Sequence, residues 1–291
     1  MEKCLVCYSS NLEKLIFGYS RFNPKLFHHI CICQSCGHIQ QYPIFKKLAY
    51  EKINNGFFNK TYMVNQELNN LNNSKKLKKL DERLAPFIHN DANILDIGSG
   101  EGWCFDYFMK KGCNYFGIEV VDRLAKSIED RGGKIIGKSV FDNYSSYNSR
   151  FDIIIFRHVL EHMLEPKKAL EILRELLNSN GLIYLVLPNA EKPSMHKGFR
   201  SSFIRPVHIS YFCKSNLFWL VNSIGLEVIQ QDISGEIFCL LKKSEKKISV
   251  PENQYEIQKQ NYLQIAKKAI KKDFINIVKS LPKDIPIKLL T

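Results

Sequence analysis

The sequence predicts an α/β protein built on a parallel sheet with helices on both faces. Short apolar runs alternate with segments of helical periodicity, an order typical of repeated strand–helix–strand units. The first run ends in an acidic residue and a turn with glycine at every second position, which indicates a tight connection from strand to helix. The predicted strands are 94–97, 115–118, 134–136, 152–156 and 182–187, and the predicted helices are 103–111, 122–131 and 165–177.

A long excursion, residues 188–213, follows the fifth predicted strand. It contains proline and glycine residues and no sustained period, so it is predicted to be a loop. A helix over 214–224 and two closing strands over 226–231 and 236–241 follow it. The main domain is therefore expected to span residues 86–244.

The glycine-rich turn combines residues suited to a nucleotide-like ligand. Asp96 ends the first strand, and the glycines of 98–100 allow a ligand to approach the backbone. Glu119 ends the next apolar run, where a carboxylate can accept the hydroxyls of a ribose. Trp103 stands where the dinucleotide fingerprint requires glycine. An ordinary strand–helix turn without a ligand is the alternative.

The turn and four later segments together resemble the S-adenosylmethionine (SAM) site of class I methyltransferases. Residues 96–102 resemble the family's Asp-x-Gly-x-Gly-x-Gly turn. The resemblance covers about residues 85–243 and implies a Rossmann-like, seven-stranded, doubly wound sheet whose last strand is antiparallel. The other matching segments are 151–156 (fourth strand), 158–162 ("hVLEH"), 181–189 (fifth strand) and 208–212 ("HlsyF").

The resemblance implies SAM as the cofactor and a site at the carboxyl ends of the strands. The residues implied to bind it are Asp96, Gly98, Ser99 and Gly100 for the methionine part, Glu119 for the ribose, Val120 with Phe141 and Asp142 for the adenine, and Arg157 and His158 beside the sulfonium.

Four titratable side chains are candidates for a catalytic role. His162 is the preferred base, because a histidine near its neutral pKa can take a proton from a hydroxyl or carbon acid. His158, Glu161 and His208 are the other candidates. The alternative is that Glu161 and His162 only hydrogen-bond the turn. The His-x-x-Glu-His spacing also occurs in zinc proteases, but here it follows a predicted buried strand.

The excursion supplies a candidate wall for the acceptor pocket. Arg200 and Arg205 could clamp phosphate or carboxylate groups. His208 lies close by, whereas Tyr211 and Phe212 can equally anchor the loop in the core.

Residues 1–44 form a predicted cysteine module. Two Cys-x-x-Cys pairs can place four thiolates around a structural Zn²⁺ ion, and so short a module needs a metal to fold. Free structural cysteines are the alternative, and Cys31 could replace Cys33 as a ligand or be a spare thiol. The expected ligands are Cys4, Cys7, Cys33 and Cys36.

Two lysine-rich segments flank the main domain. Residues 45–85 are predicted to be a helical linker that either folds over the cofactor mouth or simply connects. Residues 245–291 form a basic tail with an apolar stripe at Tyr262, Ile265 and Ala266. We expect this stripe to pack on its own domain or on a second subunit, as a homodimer, rather than on a membrane surface.

Composition limits the class of protein. The 291 residues are 45% hydrophobic, and no apolar run approaches the ~20 residues that span a bilayer. Nine cysteines without a leader segment favour a reducing compartment, by default the cytoplasm. The net charge of +13 can attract RNA, but residues 242–291, with twelve lysines and five acidic residues, hold +7 of it.

Three functional hypotheses follow. The first is a methyltransferase acting on a small-molecule acceptor, such as a nucleotide-linked sugar or a polysaccharide or natural-product precursor, which the resemblance implies. The second is an RNA methyltransferase in which the cysteine module grips RNA, although residues 1–44 carry only four basic against two acidic side chains. The third is a SAM-binding or zinc scaffold without activity.

Overall fold

The computed structural model describes residues 2–19, 27–44, 66–193, 207–246, 249 and 252–280. Most of the predicted linker and the middle of the excursion, including Arg200 and Arg205, lie outside the described residues.

A seven-stranded sheet forms the centre of the molecule. Its strand order is β10-β11-β8-β7-β4-β5-β6, and only β11 runs antiparallel to its neighbours. The predicted doubly wound sheet with an antiparallel last strand is therefore confirmed. The strands are β4 Asn93–Ile97, β5 Asn114–Ile118, β6 Lys134–Gly137, β7 Phe151–Arg157, β8 Leu177–Leu187, β10 Leu226–Asp232 and β11 Ile237–Lys243.

Two hydrophobic layers cover the two faces of this sheet. Ile153 and Ile155 of β7 belong to one layer, whereas Ile154 and Phe156 belong to the other. This alternation follows from the two-residue period of a strand. Both faces are covered by buried apolar side chains. This explains why the central strands are continuous apolar runs in the sequence.

Helices fill the connections as the periodicity predicted. Helices α4 and α5 contribute buried side chains to one layer, and α1 and α2 contribute to the other. The helices are α1 Gln66–Leu84, α2 Phe105–Lys110, α3 Asp122–Glu129, α4 Pro166–Leu176, α5 Lys214–Ser223 and α6 Gln254–Ser280.

Helix α1 packs across the sheet near the ends of β8 and β11. Leu80 and Leu84 are fully buried. The Arg83 guanidinium lies 3.7 Å from the ring centre of Phe238 and donates to Asp232 at 2.9 Å. The described part of the predicted linker is therefore attached to the sheet.

A second, four-stranded sheet joins the cysteine module to the main domain. Its order is β1-β2-β3-β9, all antiparallel. Strand β9, Ser210–Tyr211, comes from the excursion and pairs with β3. This pairing was not predicted, because two residues carry no readable period. The first three strands are β1 Leu12–Tyr19, β2 Phe27–Cys33 and β3 Ile39–Tyr42.

Helix α6 packs on this second sheet. Tyr262 and Ala266 are buried in a cluster with Ile30, Ile32 and Tyr211. At the edge, Lys259 donates to the Glu13 carboxylate at 2.9 Å. The apolar stripe of the tail thus contacts its own chain. Among the described residues, no helix has both the length and the apolar character needed to cross a bilayer.

Candidate active site

The glycine turn lies at the carboxyl end of β4, between the ends of β5 and β7. Gly98 has a φ of +65°, and a Cβ added there would lie 2.8 Å from Cγ2 of Val159. Glycine is required both for the left-handed backbone and for this contact. The turn therefore packs directly on the segment 158–162 that follows β7.

Glu119 holds the glycine turn in place. Its Oε2 accepts a hydrogen bond from the Gly100 N–H at 2.7 Å, and Oε1 accepts one from the Val121 N–H at 2.8 Å. Burial raises the pKa of Glu119, although these backbone donors oppose the shift. Each carboxylate oxygen retains a further lone pair, so Glu119 can fix the turn and still accept a ribose hydroxyl.

Asp96 is buried beneath the turn. Its Oδ2 accepts hydrogen bonds from the Tyr115 hydroxyl at 2.6 Å and the Cys104 thiol at 3.3 Å. Burial raises the pKa of Asp96 to about 7, against the opposing effect of these two donors. The carboxylate is therefore costly to ionise until a cation, such as an ammonium group, approaches it.

The expected adenine side has exposed apolar residues. Val120, two residues after the end of β5, is 50% exposed, and Phe141, four residues after the end of β6, is 37% exposed. Asp142 is exposed, and its Oδ2 accepts hydrogen bonds from the Lys138 and Ser139 N–H groups, both at 3.0 Å. Its carboxylate thus shapes the loop beside this surface.

Ser99 supplies a further sign of a ligand at the turn. Its hydroxyl oxygen is buried and has no hydrogen-bond partner among the described residues. An orphaned polar group is costly, and a bound polar ligand would satisfy it. The open glycine backbone, the carboxylates and this hydroxyl together fit a cofactor such as SAM.

His158 lies between two carboxylates. Its Nε2 is 2.6 Å from Oε1 of Glu236, and its Nδ1 is 3.2 Å from Oε1 of Glu161. Burial lowers the pKa of His158, but the two carboxylates outweigh burial and raise it. Arg157 also donates to Glu236, at 3.2 Å. The two carboxylates therefore favour the protonated imidazole of His158, which suits positioning better than proton acceptance.

Glu161, His162 and His208 form a cluster beside His158. Glu161 is 1% exposed, and its Oε2 has no hydrogen-bond partner among the described residues. The Nε2 atom of His162 lies 3.8 Å from Oε1 of Glu161, and the rings of His162 and His208 have centres 5.0 Å apart. One possible ligand atom from each of the three lies within 4.8 Å of the others.

The backbone carbonyl of Val207, in the excursion, determines which ring nitrogen of His162 carries a proton. Nδ1 of His162 lies 2.7 Å from the carbonyl oxygen of Val207, so Nδ1 is the donor, and in the neutral imidazole Nε2 carries the lone pair. Although burial opposes it, the neighbouring histidines lower the pKa of Glu161 to about 2. The cluster is thus a carboxylate facing imidazoles.

The four expected cysteine ligands also come together. The Sγ atoms of Cys4 and Cys36 are 3.7 Å apart, and those of Cys7 and Cys33 are 3.4 Å apart. All four lie within 4.8 Å of one another. Zn–S bonds of about 2.3 Å in a tetrahedron give S–S distances of about 3.8 Å, so the sulfur atoms fit Zn²⁺. Cys31 is buried outside this cluster.

The comparisons with known proteins identify the family. A family model described as a methyltransferase domain matches residues 70–231. The chain belongs to the class I SAM-dependent methyltransferases. The predictions of this family and of its fold are therefore confirmed.

Relatives of this methyltransferase act on different acceptors. The tRNA 5-carboxymethoxyuridine methyltransferase of Escherichia coli K12 is 27% identical over 133 residues, 43% of this chain and 51% of the relative. A ubiquinone biosynthesis O-methyltransferase of Cereibacter sphaeroides is 28% identical over 104 residues, 34% of this chain and 42% of the relative. The chain thus spans about half, or less, of the length of the curated relatives it matches.

A solved structure supports the fold of this methyltransferase. The 1,6-didemethyltoxoflavin-N1-methyltransferase of Burkholderia thailandensis, solved with 1,6-didemethyltoxoflavin and S-adenosylhomocysteine (SAH), aligns with a TM-score of 0.54. The alignment covers 75% of this chain and 96% of that chain, at 15% identity.

Some residues of the candidate site had no signal in the sequence. Glu236 pairs with Arg157 and His158 from the turn between β10 and β11, far along the chain from both. Tyr115 and Cys104 look like ordinary apolar core positions, and only the fold brings their polar atoms to Asp96.

Proposed function

We propose that this chain binds SAM at the glycine turn and transfers its methyl group to a small-molecule acceptor. Asp96 would hold the ammonium group, Glu119 the ribose, and Val120 and Phe141 the adenine. SAM, when bound, supplies an electrophilic methyl group on a sulfonium. The observation that carries the proposal is the contact of Gly98 with Val159, because it sets the cofactor turn against the histidine segment.

The acceptor would enter beside His162 and His208. The nucleophilic atom of the acceptor forms a bond to the methyl carbon while the carbon–sulfur bond breaks, which leaves SAH. His162 is suited to receive the acceptor's proton at Nε2, because its Nδ1 donates to the Val207 carbonyl. Arg157 and His158, both held by Glu236, keep the end of β7 ordered beside the methyl group.

We further propose that Cys4, Cys7, Cys33 and Cys36 bind one structural Zn²⁺ ion. Four thiolates close the coordination shell and leave no position for a substrate. The ion would therefore hold β1–β3 together rather than take part in methyl transfer.

A pair of glycine variants tests the cofactor site. Gly98→Ala forces a left-handed alanine against Val159, whereas Gly132→Ala introduces a similar strain at φ +94° with no atom within 4 Å. Strain of about 1–3 kcal/mol is expected at each site, but only Gly98→Ala should weaken SAH binding, by about tenfold or more. Calorimetric titration of both folded variants measures this. Equal SAH affinity in the two would refute the site.

RNA is the competing class of acceptor. Two observations favour RNA: the E. coli relative is a tRNA methyltransferase, and this chain has a net charge of +13. We expect methyl transfer from labelled SAM to nucleotide-linked sugars or phenolic precursors, and none to bulk tRNA. Methyl transfer to tRNA, together with an RNA affinity that falls steeply with salt concentration, would instead support the hypothesis that RNA is the acceptor.

A further inference from the structure

We propose that Glu161, His162 and His208 form a binding site for one divalent transition-metal ion, distinct from the cysteine cluster. The ion would bind the acceptor through oxygen. The metal site stands on its own geometry, and only its part in catalysis rests on the proposed function.

The three side chains make up a set of two histidines and one carboxylate, which binds divalent metal ions in other proteins. Two imidazoles and one carboxylate with mutual ligand distances within 4.8 Å need to close by only about 1–2 Å to surround an ion at bonds near 2.1 Å. Three protein ligands leave positions open for water or substrate. This differs from the four-thiolate set, which is complete.

The surroundings of His162 are those of a metal ligand. Its Nδ1 donates to the Val207 carbonyl at 2.7 Å, which directs the lone pair of Nε2 toward Glu161, 3.8 Å away. Ligating histidines typically donate their second nitrogen to a carbonyl or carboxylate in this way. His158 supports Glu161 from the other side, at 3.2 Å from Oε1.

The second oxygen of Glu161 is an independent observation. Glu161 is 1% exposed, and its Oε2 is buried without a hydrogen-bond partner among the described residues. Leaving a carboxylate oxygen buried and unsatisfied costs free energy, whereas coordination to a cation would satisfy it. His208, 9% exposed, completes the set from the excursion.

The position indicates the class of acceptor. The cluster follows Val159, which contacts Gly98 of the cofactor turn, so an oxygen on the ion would lie near the methyl group. A divalent ion lowers the pKa of a bound hydroxyl. An acceptor with two adjacent oxygens, such as a catechol or an α-hydroxy acid, could fill two open positions. With the ion bound, Nε2 of His162 is a metal ligand and no longer the base, so the acceptor's O–H proton would pass to water while an O–CH₃ bond forms and the S–CH₃ bond breaks.

Manganese is the probe, because Mn²⁺ prefers oxygen and nitrogen ligands to thiolates. The full chain, with its cysteine site as purified, is titrated with Mn²⁺ and followed by electron paramagnetic resonance. We expect one site per chain. Glu161→Gln and His208→Ala should each weaken Mn²⁺ binding about tenfold or more. The control His89→Ala, whose side chain is 64% exposed, should bind as the wild type does.

SAH titration on the same samples separates this inference from the proposed function. Mn²⁺ binding that is lost in both variants, with or without SAH binding, supports the metal site. No Mn²⁺ binding by wild-type protein that binds SAH overturns the inference alone. Mn²⁺ binding that is equal in wild type and His208→Ala also overturns it, and this variant answers the question if Glu161→Gln does not fold.

Discussion

Asp96 illustrates how burial changes the behaviour of a carboxylate. It was predicted from sequence as a cofactor ligand because it ends a strand before glycines. Its two hydrogen-bond donors and its raised pKa come from the folded core. The sequence therefore indicated that Asp96 ends a strand just before the glycine turn, but it could not indicate the ionisation state of the Asp96 side chain.

SAM affinity is expected to depend on pH through Asp96. The carboxylate must be ionised to hold an ammonium group, and its pKa in the free protein is about 7. Binding below that pH has to release a proton, so the Kd should rise about tenfold for each pH unit below 7. Above pH 7 it should be flat. Titration calorimetry with SAH between pH 5.5 and about 8.5 checks this.

Two variants control the pH profile. Asp96→Asn should bind SAH weakly with no such slope. Tyr115→Phe removes a donor that lowers the Asp96 pKa, so its profile should shift toward higher pH. A wild-type profile without a slope below pH 7 would contradict the assignment of Asp96.

At the scale of elements, strands and helices of the main domain were predictable from their apolar periods. Strand 94–97 is observed as Asn93–Ile97, and helix 165–177 as Pro166–Leu176. Strand β9 was not predictable, because it has two residues and its partner is distant in the chain. The Ile209 N–H also donates to the Glu161 carbonyl at 2.9 Å. The cysteine module is thus linked to the histidine cluster through β3 and β9.

Loss of zinc is therefore expected to disturb His208. Cys36→Ser should reduce zinc from about one ion per chain toward none, and it should weaken methyl transfer and Mn²⁺ binding more than SAH binding. The reason is that β3 orders β9, whereas the glycine turn lies elsewhere. Zinc content by mass spectrometry and the two titrations measure this.

Cys31→Ala is the matched control, since Cys31 lies on the same strand as Cys33 but outside the cluster. It should keep its zinc. Full zinc content in Cys36→Ser would show that the four thiols do not act together.

On the scale of the whole molecule, the tail helix packs on the second sheet and also contacts the segment that follows β8 of the main sheet, where Gln258 donates to Glu191 at 2.9 Å. Tyr262 is 3% exposed and contacts a cluster that includes Ile32 of β2 and Tyr211 of β9. The sequence predicted an apolar stripe here but not what it covers, because such a stripe fits any apolar surface of the same width.

Tyr262→Ala is expected to destabilise the entire chain. Removing a large buried side chain costs about 3–5 kcal/mol, and we expect a lower midpoint in a single unfolding transition. Leu263→Ala, at a position 45% exposed, should change the midpoint little. Differential scanning calorimetry distinguishes the two. Separate transitions for the module and the main domain would argue that the sheets are not coupled.

Strand β9 is synthesised long after β3, the strand with which it pairs. His38 and Ser210 lie 172 residues apart in the chain, and a ribosome adding 5–20 residues per second needs on the order of ten seconds or more to cover that distance. For that time β3 has an open edge, and open strand edges invite pairing with other chains. The growing polypeptide is thus exposed to aggregation at this edge until translation reaches β9, the strand that pairs with β3.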